Sequence, residues 1–111
     1  MIAKTPPPPY YAVIFTSLRA EDDEEYEKMA VEMLELASKQ KGFLGVESAR
    51  DALGITVSYW SSLMDIQNWK QNTQHLTAQR NGKEKWYQAY KVRIVKVERD
   101  YDFRNRNRKK I

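Results

Sequence analysis

The sequence predicts an α+β domain in which an antiparallel sheet is covered by helices on one face. Three observations carry that prediction. Four runs are rich in β-branched and aromatic residues, and two stretches repeat apolar residues at three- and four-residue spacing. The length, 111 residues, fits one domain.

Met1 to Pro9 is a leader, and its four consecutive prolines, Pro6 to Pro9, exclude helix. It reads as a spacer or as an arm lying on a neighbouring subunit. Tyr10 to Leu18 is the first strand, dominated by β-branched and aromatic residues. The acidic run Glu21 to Glu25 suits the positive end of a helix dipole, with Asp22 or Asp23 as cap, better than it suits a metal, because its carboxylates are adjacent rather than convergent. The first helix runs from about Asp23 to Gln40. Tyr26, Met29, Ala30, Met33, Leu36 and Ala37 form its apolar face, and the methionines read as core filling. Gly42 sits where a left-handed C-cap is expected.

Phe43 to Arg50 is the second strand, Asp51 to Gly54 a turn, and Ile55 to Trp60 the third strand. The third strand alternates: Ile55, Val57 and Tyr59 face one side, Thr56, Ser58 and Trp60 the other. Ser61 or Ser62 can cap a helix over about Ser62 to Gln71, whose face carries Leu63, Ile66 and Trp69. A continuous helix would set positions 69 and 75 about 120° apart around its axis, whereas a break near Asn72 to Gln74 would let both point into one pocket. A further helical stretch is expected over about His75 to Tyr90, interrupted at Asn81-Gly82, and a fourth strand over Lys91 to Tyr101. Val95 falls out of the alternation there, which suggests a bulge or burial on both faces. This order is the ferredoxin-like βαββαβ arrangement. The sheet face without helices carries valines, isoleucines and aromatics, so two sheets packed face to face in a two-fold homodimer are expected.

Composition removes several function classes. With no cysteine, disulfides, thiolate nucleophiles and Cys-ligated metals are excluded. One histidine makes no zinc site without carboxylate help. No apolar run reaches the ~18 residues of a membrane span, and no signal peptide is visible, so the cytoplasm is the expected location. The net charge of +4 comes from the tail: residues 104–111 hold five of nineteen basic residues, leaving fourteen against fifteen acids. A basic tail can touch nucleic acid, but a solvated terminus is the expected state. The chain therefore divides into a leader (1–9), a folded body (10–103) and a basic tail (104–111).

The body resembles the antibiotic biosynthesis monooxygenase family of small dimeric α+β barrels. The resemblance rests on Gly42-Phe43-Leu44-Gly45-Val46-Glu47-Ser48, on Ile55 to Trp60, and on Trp69-Lys70 followed by His75, Trp86-Tyr87 and Tyr90. It implies the ferredoxin-like fold and the homodimer. It also implies one of two ligand types in the space between sheet and helices: phenols and quinols oxygenated without metal or flavin, or haem. Trp69 matches a family tryptophan that lines this space. In the haem degraders that tryptophan is paired with an iron-holding histidine after a longer gap and with an asparagine on the first strand. Here His75 follows Trp69 by six residues and Val13 to Ser17 contain no asparagine, which turns the resemblance away from haem cleavage.

Oxygenation without a cofactor needs a base, donors for a phenolate oxygen, and a dry aromatic slot. His75 is the natural base, because its ordinary pKa lies near neutrality. Trp69, Trp60 and Tyr59, with Trp86, could form the slot. Arg80, Lys70 or Asn72 could stabilise the anion. Against this, a tryptophan on an apolar helix face is more often core than pocket, a lone histidine at a helix start more often caps or is solvated, and Trp86, Tyr87 and Tyr90 suit packing on the sheet or a partner. The expected function is therefore a small dimeric monooxygenase acting on an aromatic or quinol-type molecule with no cofactor. The alternative is a non-catalytic module of the same fold that binds a small molecule or haem.

Overall fold

A computed structural model describes residues 1–20, 24–79 and 86–105, without the side chains of residues 24, 25 and 75–79. The elements follow in the order β1 (Tyr10–Arg19), α1 (Glu24–Ser38), β2 (Phe43–Arg50), β3 (Gly54–Trp60), α2 (Leu63–Gln79) and β4 (Tyr87–Val97). The strands form one antiparallel sheet in the order β2-β3-β1-β4. This is the ferredoxin-like α+β fold that the alternation of strand and helix patterns predicts. Of the acidic run, Glu24 and Glu25 open α1, while residues 21–23, and with them the caps expected of Asp22 and Asp23, lie outside the described residues.

Register assigns every side chain to a face, because paired residues in neighbouring strands share one. Tyr11, Val13, Phe15 and Ser17 of β1 pair with Trp60, Ser58, Thr56 and Gly54 of β3. On the other side they pair with Lys96, Ile94, Val92 and Tyr90 of β4. This is the face the helices cover. Trp60 meets Trp69 of α2 there, and Tyr87 meets Tyr26 of α1. The inner layer of α1 holds Tyr26 and Met29 with Trp86, flanked by Ala30, Met33 and Tyr87, so the methionines do fill core.

The opposite face carries Tyr10, Ala12, Ile14, Tyr59, Val57, Val95 and Glu47. The leader covers one end of it. The Ala3 N–H donates to Glu47 Oε2 at 2.9 Å, and Ala3 lies so close over Gly45 that an added Cβ would approach its methyl at 3.0 Å. The Thr5 hydroxyl donates to the Tyr10 hydroxyl at 2.9 Å, which in turn donates to Asp100. The leader is thus an arm laid on its own chain, where it contacts the buried Tyr10 on a face no helix reaches.

Two boundaries differ from expectation. The second helix runs unbroken through Asn72, Thr73 and Gln74. Tyr87 and Tyr90 belong to β4 rather than to a helix, and β4 ends at Val97. Pairing with β1 along ten residue positions outweighs the helix-like spacing of Trp86, Tyr87 and Tyr90. Val95 is in regular register opposite Ala12, and the irregularity falls instead at Leu18/Arg19. Neither the bulge nor the burial expected at Val95 is found: its register is regular and it stays 37% exposed.

The α1–β2 connection at Gly42 and the β3–α2 connection at Ser61 and Ser62 are pinned to each other. Gly42 takes φ +85°, the left-handed conformation in which a β-carbon is costly. Its carbonyl accepts the Ser61 N–H at 2.8 Å. A β-carbon at 42 would overlap the side chain of Asp65. Asp65 is buried in the first turn of α2, where Oδ2 accepts from Ser61 Oγ (2.9 Å) and Ser62 Oγ (2.8 Å). Ser62 Oγ accepts the Asp65 N–H at 3.1 Å, so Ser62 is the N-cap.

Candidate functional site

The aromatic centre of the helix-side space is Trp60. It closes β3 on the helix face and is fully buried. Its indole N–H donates to Ser58 Oγ at 2.9 Å, so the ring carries no unsatisfied polar atom. Trp69, half-buried on α2, stacks on it with centroids 6.1 Å apart and planes 26° from parallel. Phe43 also meets Trp60 edge-on, at 5.6 Å and 83°. The arrangement follows from the turn described above, which sets Phe43 immediately after Gly42 and Trp69 one helical turn beyond Asp65.

The other expected site residues are distributed as follows. Asn72 lies three positions beyond Trp69 but is exposed, and its amide donates to Gln40 Oε1 and to the Asn68 carbonyl, both at 3.2 Å. Lys70 is exposed. Tyr59 is on the opposite face of the sheet from Trp60, so within one chain it does not join the tryptophan pair. Trp86 is buried in the other cluster, against Tyr26 and Met29, and its indole N–H finds no acceptor among the described residues. The side chain of His75 and the whole of Arg80 lie outside the described residues. Because α2 is continuous, positions 69 and 75 are about 120° apart around its axis.

A second constellation at the far end of the same face was not visible in the sequence. Phe15 contacts Tyr87 and Tyr90, with centroids at 5.4 and 5.3 Å, and Tyr26 contacts Tyr87 at 5.8 Å. Burial, then the neighbouring Tyr26, push the Tyr87 hydroxyl pKa well up, so it stays protonated and can donate. The Arg19 guanidinium lies over the Tyr26 ring, its Cζ 3.9 Å from the centroid, while Nη1 donates to Glu27 Oε1 at 3.0 Å. Arg50 reaches back from the end of β2. Its Nη2 donates to the buried Ser17 Oγ at 2.5 Å and to the Tyr26 hydroxyl at 3.4 Å. The signal that could have found it is the four-residue spacing of Arg50 and Gly54 across a turn: a β-carbon at 54 would overlap the guanidinium.

On the outer face, Tyr59 donates to Glu47 Oε1 at 2.7 Å and meets Tyr10 edge-on at 6.0 Å. The Tyr59 hydroxyl and then the Ala3 N–H hold the Glu47 carboxyl below its ordinary range. Burial, then Glu47, push Tyr59 up to about 12. The hydrogen bond to Asp100 raises Tyr10.

With the fold and these residues placed, the comparisons give the class. The antibiotic biosynthesis monooxygenase family matches residues 9–81, and the chain belongs to that family. It is 51% identical over 100 residues, 88% of each chain, to the uncharacterized protein YqjZ of Bacillus subtilis (strain 168). The crystal structure of PA3566 from Pseudomonas aeruginosa is similar with a TM-score of 0.56 at 21% identity, covering 85% of this chain and 97% of that one. A Nitrosomonas europaea protein provisionally described as an antibiotic biosynthesis monooxygenase is similar with a TM-score of 0.61 at 11% identity, covering 86% and 93%. At those identities the two structures establish the fold alone. No described helix is long and apolar enough to cross a membrane.

Proposed function

We propose that the chain is a small homodimeric monooxygenase that oxygenates an aromatic, quinol-type molecule in the helix-side space, using neither metal nor flavin. The observation that carries this reading is the Trp60–Trp69 stack with Phe43 edge-on to Trp60. An aromatic ring entering beside Trp69 would find flat apolar walls and little water.

The chemistry draws all its electrons from the substrate. In this reading the phenolic proton passes to His75 through one water, because the unbroken α2 turns position 75 about 120° away from Trp69. The phenolate gives one electron to dioxygen, producing a phenoxyl radical and superoxide. These combine to form a carbon–oxygen bond, giving a peroxide that takes the proton back. Loss of water leaves the quinone, so a phenol and dioxygen become a quinone and water. Arg80 would stabilise the anion by charge-assisted hydrogen bonding. Trp69, held in place by the buried Trp60, would keep the ring in line with the oxygen. The homodimer is supported by the apolar outer face, where Ile55 and Val95 remain exposed.

Haem fits this face poorly. β1 turns Tyr11, Val13, Phe15 and Ser17 toward the helices, and none offers the amide donor that a haem-cleaving site of this fold would place there. A reaction through haem is therefore not part of the reading.

The experiment is oxygen uptake by the metal-stripped protein with a panel of phenols and quinols. Substrate-dependent uptake that is lost in His75→Ala and in Trp69→Leu, with Tm retained, is expected. Absence of uptake across the panel, with binding intact, would reduce the chain to a binding module.

A further inference from the structure

The second polar centre of the molecule lies at the end of the sheet, away from the tryptophans. A cleft of about 600 Å3 opens there between the ends of β1 and β2 and the start of β4. Leu18, Arg19, Arg50, Asp51, Ala52 and Gln88 line it. We infer that this cleft is a binding site for a small organic carboxylate, with Arg50 as its anchor.

The argument starts from how Arg50 is held. A guanidinium at the exposed end of a strand ordinarily stays mobile in water, because fixing it costs side-chain entropy. Here it is fixed in three ways. Nη2 donates to Ser17 Oγ, which is 2% exposed and has no freedom to move away. The same nitrogen reaches the Tyr26 hydroxyl. The absent β-carbon of Gly54 leaves the room the group occupies. Every described partner of Arg50 is a neutral hydroxyl, so its charge is not compensated by a carboxylate among the described residues. Arg19 differs, because it pairs with Glu27.

A guanidinium carries five donors in a rigid fork that matches the two oxygens of a carboxylate. With Nη2 engaged on the protein, Nε and Nη1 remain for a ligand. The rest of the lining gives the ligand its shape. Leu18 and Ala52 supply apolar wall, and Gln88 supplies an amide. Asp51 disfavours highly charged anions, which points to a monocarboxylate with an apolar body rather than to a phosphate. The site does not depend on the oxygenase reading, since none of its residues belongs to the tryptophan pair.

The test uses the full chain and calorimetric titration with benzoate, with benzamide as the uncharged match in shape. Benzoate is expected to bind and benzamide to bind at least about tenfold more weakly, as expected for loss of a charge-assisted hydrogen bond. Arg50→Gln should weaken benzoate about tenfold to hundredfold on the same ground, and Asp51→Asn should strengthen it. Trp69→Leu should leave it unchanged. Should Arg50→Gln not fold, Arg50→Lys keeps the charge without the fork and should still weaken benzoate several-fold. The assignment is overturned if benzoate does not bind, if benzamide binds equally well, if neither Arg50 variant alters the affinity, or if Trp69→Leu abolishes binding, which would place benzoate against Trp69.

Discussion

Replacing Gly42 by alanine tests the joint that sets Trp60 against Trp69. The perturbation acts twice. Alanine in the left-handed region at φ +85° costs about 1.5 kcal/mol. Its methyl would also overlap the Asp65 side chain, which must then leave the hydroxyls of Ser61 and Ser62. Loss of that capping arrangement costs about 1 kcal/mol. Together the loss is about 2.5 kcal/mol. At about 2.1 cal/mol/K of unfolding entropy per residue, a chain of 111 residues loses about 4 °C of Tm per kcal/mol, so Tm should fall by about 10 °C. The assay is thermal unfolding followed by circular dichroism, on Gly42→Ala, Asp65→Ala and the pair. With Asp65 already truncated, the new methyl meets no carboxylate, so the double variant should fall about 1 kcal/mol short of the sum of the singles. A Tm loss below about 4 °C for Gly42→Ala, or strict additivity in the pair, would refute the account of this turn.

Trp60→Ala should destabilise by about 3 to 5 kcal/mol, because a fully buried indole leaves a cavity; Trp60→Phe should cost clearly less, and denaturant unfolding measures both. Tyr59 ionises near 10 when unfolded and only at about 12 in the fold. Its contribution is therefore complete below pH 10 and lost as pH rises toward 12, and Tyr59→Phe should flatten that part of the stability profile. Glu47 moves the opposite way. Its lowered carboxyl stabilises above the ordinary value of 4.5 and loses that contribution as pH falls through the folded-state value, so acid should release the leader. Limited proteolysis within residues 1–9 should then accelerate, and Gly45→Val should give the same acceleration at neutral pH by pushing Ala3 aside.

The fold was legible because its signals are local. The alternation in Ile55 to Trp60, the three- and four-residue spacing from Tyr26 to Ala37, and the glycine at 42 each act over a few residues, and each element formed as expected. Tyr87 and Tyr90 misled, because helical spacing and a strand both accommodate them, and the decision belongs to β1, some seventy residues away in sequence. The site was legible only in part. Trp60 and Trp69 come together because strand end and helix start are joined by a short, capped turn. Tyr59 is adjacent to Trp60 in sequence and opposite to it in space, a direct result of the two-residue period. Arg50 with Ser17 and Tyr26 joins three elements through side-chain reach, and the Arg50–Gly54 spacing marks only the room left for the guanidinium, not the partners it meets.

The outer edge of the sheet has a consequence for handling the protein. Along β4, Val92 and Ile94 remain roughly half exposed on one face and Val95 more than a third on the other, beside backbone groups that no further strand pairs. Such an edge templates the addition of another chain. Lys91, Arg93 and Lys96 interrupt it. Two copies laid edge to edge would bring these cations within a strand spacing of about 4.8 Å, and their repulsion keeps the edge clean. That protection is electrostatic, with a reach of about 10 Å at 0.1 M salt and about 3 Å at 1 M. Concentrated salt, ordinarily a mild additive, is therefore the condition that removes the guard from this strand, and dilute buffer is the one that keeps the protein dispersed.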